Sequence, residues 1–93
     1  MITVEGSWFV RAGEKIGYID GEHIMDHSGN RVGYVDGEHV FDQGGHRVAY
    51  ISGDYIYFEG SSNRIRIEDN DRDIVGGGYS NIQKAAVRVL LGE

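Results

Sequence analysis

The chain has 93 residues, a net charge of −6, fifteen glycines, and neither proline nor cysteine. That length leaves room for one domain at most. The missing cysteine excludes a disulfide framework, a thiolate zinc site and a cysteine nucleophile, and the acidic field opposes phosphate backbones, so no nucleic-acid partner is expected.

The amino terminus, MITVEGSWFV, has no basic, then apolar, leader pattern. No run approaches the roughly eighteen apolar residues of a membrane span, and the expected location is cytoplasmic. Beyond it the chain repeats every sixteen residues: KIGYIDGEHIMD at 15–26, RVGYVDGEHVFD at 31–42 and RVAYISGDYIYF at 47–58. Each unit is an alternating run, a glycine-bearing dipeptide and a second alternating run, which is a β-hairpin in sequence form. Asp36-Gly37 is expected to form the centre of a two-residue type I′ turn that pairs Val35 with Glu38 and Tyr34 with His39.

Four hairpins result. The first is degenerate, with Ser7, Trp8, Phe9 and Val10 in the places of His23, Ile24, Met25 and Asp26, and Ala12-Gly13 replacing Ser28-Gly29. The fourth, residues 53–69, carries one extra residue in its EGSSN turn. Residues 5–75 thus read as an eight-stranded antiparallel meander, 76–79 as a glycine-rich linker and 80–92 as a C-terminal helix.

Alternation assigns the faces. One collects Val32, Tyr34, His39 and Phe41 with their counterparts Ile16, Tyr18, His23, Met25, Val48, Tyr50, Tyr55 and Tyr57. The other collects Gly33, Val35, Glu38 and Val40, with Gly17, Ile19, Glu22, Ile24, Ala49, Ile51, Asp54 and Ile56, and is only half apolar. The first is almost wholly apolar or aromatic and is expected to face inward. The glycine and alanine stripe on the second leaves room for another element close against the backbone. Lys15, Arg31, Arg47 and Arg64 recur at equivalent positions and read as solvated strand ends that discourage edge pairing.

A meander of this length removes its edges by closing into a barrel, here with approximate four-fold symmetry. The tandem GYIDG and GYVDG hairpins, each leading through an aliphatic pair such as His39-Val40-Phe41-Asp42 into a glycine-bearing turn, resemble the bacterial four-fold β-flower family. The similarity covers residues 5 to about 75. It implies a shallow, square barrel around an apolar channel, loosely like the lipid-associated Tubby-like barrels, and brings no catalytic residues with it. Residues 41–50, FDQGGHRVAY, also resemble a YD-repeat, the unit of β-shells that encase secreted toxins; four units are too few for a shell.

After Gly76-Gly77-Gly78 the hydrophobic period lengthens to that of a helix. Ser80 and Gln83 form a capping box, Gly92 stands at C′, and helix is predicted over 81–91. Ile82, Ala85, Ala86, Val87, Val89, Leu90 and Leu91 leave little polar surface, so this helix must plug or cover the barrel, pack on the aliphatic stripe, or make a subunit contact.

In the closed barrel, Tyr18, His23, Tyr34, His39, Tyr50 and Tyr55 would line the rim of the channel, and these are the candidate ligand-binding residues. No metal site or cofactor is expected, because two imidazoles leave zinc short of ligands. Asp69, Asp71 and Asp73 have calcium-loop spacing but lack the later glycine and glutamate, and read as an acidic turn. His23, Ser7 and Asp20 have the residue types of a catalytic set, yet they come from units that recur throughout the chain, so no enzyme activity is expected. The functional expectation is a non-catalytic binding or interaction module, holding an apolar or lipid-like ligand in its channel or docking a protein partner. The alternative is a structural scaffold that forms a homo-oligomer through its helix.

Overall fold

The computed structural model describes residues 2–76 and 78–92; Gly77 of the expected linker lies outside them. Its elements are β1 (Ile2–Glu5), β2 (Trp8–Arg11), β3 (Glu14–Asp20), β4 (His23–Asp26), β5 (Arg31–Asp36), β6 (His39–Asp42), β7 (Arg47–Ser52), β8 (Tyr55–Phe58), β9 (Arg64–Arg66), α1 (Ile67–Asp73), β10 (Ile74–Val75) and α2 (Asn81–Leu90). The eight expected strands are β2 to β9, each antiparallel to its chain neighbours.

The expected closure does not occur. The sheet is open and ten-stranded, in the order β10-β1-β2 through to β9. Residues 2–5 add a strand before the first repeat, and β10 joins it in parallel, Ile2 opposite Ile74. That parallel pair departs from an all-antiparallel meander and occupies the edge of β2 that closure against β9 would have used. Laid flat, ten strands would span about 43 Å at the usual spacing, whereas the longest dimension of the molecule is 31 Å. The sheet therefore curls, and α1, a helix of about 10 Å at 1.5 Å per residue, bridges the remaining gap between β9 and β10. The acidic turn expected around Asp69 is this helix, with Asp69 paired to Arg72 at 2.8 Å and Asp73 to Arg88 at 3.3 Å.

The inward face is the reverse of the expected one. Phe9, Ile24, Val40, Ile56 and Ile74 are fully buried together with Ala85, Ala86 and Val87 of α2, so the aliphatic face lines the concavity and α2 fills it. Gly17 and Gly33 make this possible: a Cβ at Gly17 would collide with Leu91, and one at Gly33 with Leu90 and the Phe41 carbonyl. The expected capping box is present, with Ser80 accepting from the Gln83 amide and the Gln83 side chain accepting from the Ser80 amide. Because α2 occupies the interior, with Ala85, Ala86, Val87 and Leu91 buried and Ile82, Val89 and Leu90 partly buried against the sheet, the expected open channel does not form.

Register and turn also differ from expectation. Asp36 pairs with His39 and Tyr34 with Phe41, leaving Gly37-Glu38 as the two-residue loop. Gly37 has φ of +62° while Glu38 keeps negative φ, the pattern of a type II′ turn. Gly21 and Gly53 repeat it, and so does Gly6, which makes Trp8 rather than Ser7 the structural equivalent of His23. The faces survive the change of register because both pairings join residues an odd number apart.

Candidate functional site

A β-bulge recurs in each of the first three repeats and decides what the outer face presents. Between β4 and β5, Ile24 pairs with Gly33 but Met25 pairs with Arg31, so Val32 is the extra residue. The same break falls at Ile16 and at Val48. A bulge re-aims the side chains around it. Strict alternation would turn Arg31 to the side of Gly33 and Val35; the bulge instead sets it opposite Met25, on the aromatic side, while Val32 packs toward the core. Lys15 and Arg47 are re-aimed in the same way, and Arg64 arrives opposite Tyr57 without a bulge, through the longer turn of the last hairpin.

Each cation then rests on an aromatic ring. Lys15 Nζ lies 4.9 Å from the Trp8 ring, Arg31 Cζ 5.2 Å from Tyr34, Arg47 Cζ 4.4 Å from Tyr50 and Arg64 Cζ 4.1 Å from Tyr55. These contacts favour a cation held in place over one left free in water. The rings support one another: Tyr34 stacks on Phe41 at 5.1 Å, Tyr50 on Tyr57 at 5.3 Å, and Trp8 meets Tyr18 edge-on at 5.1 Å. Arg31 reaches within 3.4 Å of His23 Nδ1 and donates to Gln43 Oε1 at 2.8 Å; Arg47 makes the same reach to His39 and donates to Glu59. Two neighbouring hairpins thus build the same arginine cradle, differing in the neutral Gln43 and the charged Glu59.

All six expected site residues lie on this outer face, but they do not converge on a channel. They form a belt of cross-strand pairs, His23 with Tyr34 and His39 with Tyr50, in which the histidines are exposed and Tyr18, Tyr34, Tyr50 and Tyr55 half-buried. Trp8 and the four cations complete the belt. Arg31, Arg47 and Arg64 open β5, β7 and β9 and Lys15 is the second residue of β3, so they are strand ends as expected, but that reading did not place them over the aromatic rings. The signal that would have found three of them is that Lys15, Arg31 and Arg47 each stand two residues before a glycine or alanine of the stripe, a register that alternation alone would turn inward. At one end of the belt Ser7, Trp8, Tyr18, Asp20, His27 and Gly29 line a shallow cleft of about 510 Å³.

The charge of the belt is distinctive in so acidic a chain. Among the described residues Arg47 has a carboxylate partner, Glu59, whereas Lys15, Arg31 and Arg64 have none within 4.0 Å. Most acids stand on α1 and in or beside the turns, while Asp20 and Asp36, at the ends of β3 and β5, share the outer face opposite His23 and His39. Asp26 and Asp42 belong to the turns: Asp26 Oδ1 accepts from the Ser28 and Asn30 amides and Asp42 Oδ1 from the Gly44 and His46 amides, all within 3.0 Å. Backbone donors, those of Asn30 and His46 foremost, hold both carboxyls below the ordinary aspartate pKa. Among the described residues no group of three histidines, aspartates or glutamates is arranged to hold a metal ion, and no helix is long and apolar enough to cross a membrane.

No curated protein and no solved structure matches this chain. A family model described as 4-fold beta flower protein matches residues 6–57, which spans β2 to most of β8 and takes in three of the four cation-bearing positions, Lys15, Arg31 and Arg47. With more than half of its length matched, and with hairpins repeating through the matched region, this chain belongs to the 4-fold beta flower family.

Proposed function

We propose that this chain is a non-catalytic interaction module that docks a protein partner across its outer aromatic belt. The observation that carries this reading is the row of cations, each held over an aromatic ring on a solvent-facing sheet surface. Trp, Tyr and Arg are the residue types that dominate binding energy at protein interfaces, and here Trp8, five of the six tyrosines and three arginines are collected on one side of a small domain, Tyr79 alone among the tyrosines packing on the core. Stacked rings and the Gln43 and Glu59 contacts restrain the guanidinium groups before any partner arrives, which lowers the entropy lost on docking. The location of the apolar residues also favours the outer face: α2 fills the interior where a lipid tail would have lain.

Selection from a random peptide library displayed on phage tests this reading. Peptides enriched on the wild-type protein are expected to lose roughly tenfold or more in affinity for Arg31→Ala and Tyr50→Ala variants that retain the wild-type circular dichroism. Peptides that bind both variants as tightly as wild type, or a library that yields no binder, would leave a purely structural scaffold as the better reading.

A further inference from the structure

We infer that the outer belt takes an acidic, extended segment of a partner protein, with carboxylates recurring every third residue. This rests on the outer-face reading and adds the chemistry of the occupant. Three observations carry it. The first is charge: in a chain of fifteen acids and nine cations, Lys15, Arg31 and Arg64 stand in one row on the outer face without a carboxylate within 4.0 Å among the described residues, while Asp20 and Asp36 of that face stand at the other strand ends, opposite His23 and His39, so the row itself is what complements an anion.

The second is spacing. Successive cations stand two strands apart, on β3, β5, β7 and β9, a step of about 10 Å at the usual strand separation. A polyproline II segment advances about 3.1 Å per residue with three residues per turn, so every third side chain returns to one side after about 9 Å. Aromatic-lined surfaces are a known platform for such segments, whose extended form loses little entropy on binding. A carboxylate on each turn then meets one cation per hairpin, while the intervening residues lie against the exposed histidines and the ring edges between the cations.

The third is shape. The sheet curls around α2, so the belt is convex, and a flat anionic bilayer would meet only one or two cations, whereas an extended chain follows the curve. Single-stranded nucleic acid needs open ring faces for its bases, and the faces of Trp8, Tyr34, Tyr50 and Tyr55 already carry cations.

Fluorescence anisotropy with labelled synthetic peptides tests the inference. A peptide of five Glu-Pro-Pro repeats is expected to bind saturably, to weaken as salt rises, and to bind several-fold more tightly than the corresponding Gln-Pro-Pro peptide or one with the same glutamates gathered at one end. Arg31→Gln should weaken binding by roughly tenfold, a value typical of losing one charge-assisted contact. Glu59→Gln, which removes the one carboxylate partner on the belt, should tighten it. Equal affinity for the neutral peptide, an unchanged affinity in Glu59→Gln and Arg31→Gln, or tighter binding of oligothymidylate or phosphatidylserine vesicles overturns the inference. Library peptides that depend on Arg31 and Tyr50 but are not acidic would overturn it too, while leaving the outer-face reading in place.

Discussion

Backbone strain is concentrated at a single residue. Ala12 is the one non-glycine residue with positive φ among those described, at 53°, and it is followed by Gly13 at 81°. This two-residue turn between β2 and β3 replaces the longer Asp-stapled loop of later repeats, and it demands from alanine a conformation that costs about 1–2 kcal/mol in an L-residue. Part of that is offset by the smaller freedom of the unfolded alanine chain. Ala12→Gly is therefore expected to raise stability by about 0.5–1 kcal/mol in urea melts; a loss of stability would show that the turn does not need positive φ there. The stapled loops make a separate prediction. Asp26 and Asp42 have pKa values lowered by the amides of Asn30 and His46, so the unfolded chain binds their protons more readily than the native one. Their contribution is present above the unfolded aspartate pKa, near 3.9, and is lost as pH falls through the lower native values. Thermal melts should show Tm falling with acidification below about pH 4, more steeply in wild type than in an Asp26→Asn, Asp42→Asn double variant. Equal slopes would mean that the staples contribute nothing to acid sensitivity.

Elements meet most closely where α2 crosses the glycine stripe. Gly33 has no positive φ to require it, and its role is space: a Cβ there would collide with the Phe41 carbonyl, which cannot yield easily, and with Leu90 Cδ1, which can. Gly33→Ala should destabilise by about 1–3 kcal/mol, as overpacking commonly does. Combining it with Leu90→Ala should give a loss smaller than the sum of the two single losses, because one of the two clashes disappears. Strict additivity in urea melts would place α2 elsewhere. The helix itself was legible, since a capping box and a 3.6-residue period are local signals. So was the stripe, since small residues recurring at one register admit a neighbour. The bulges were not, because a bulge leaves the amino-acid types of a strand unchanged and alters only which partner each residue faces. Missing them put Val32, Ile16 and Val48 on the wrong side and hid the cation belt.

At the scale of the whole molecule, the choice of inward face decides both fold and function. Two faces competed, one rich in aromatics and one in small aliphatics, and composition alone favoured burying the aromatics. The aliphatic face won because α2 brings its own apolar surface and needs a shallow floor to lie on; Gly17, Gly33 and Ala49 supply it, whereas a row of tyrosines would hold the helix off. The tyrosines lose little by staying half-exposed, since their hydroxyls remain hydrated and their rings are covered by each other and by the cations. Closure was illegible for a related reason: the strands that occupy the free edge of β2, Ile2–Glu5 and Ile74–Val75, lie outside the repeat and are too short to announce themselves. The central claim is that α2 lies against the glycine face, leaving the aromatic belt outside. Nuclear Overhauser contacts from the Leu90 and Leu91 methyl groups test it most directly: they should run to the Hα protons of Gly33 and Gly17, and contacts from those methyls to the rings of Tyr34 and Tyr50 would contradict it.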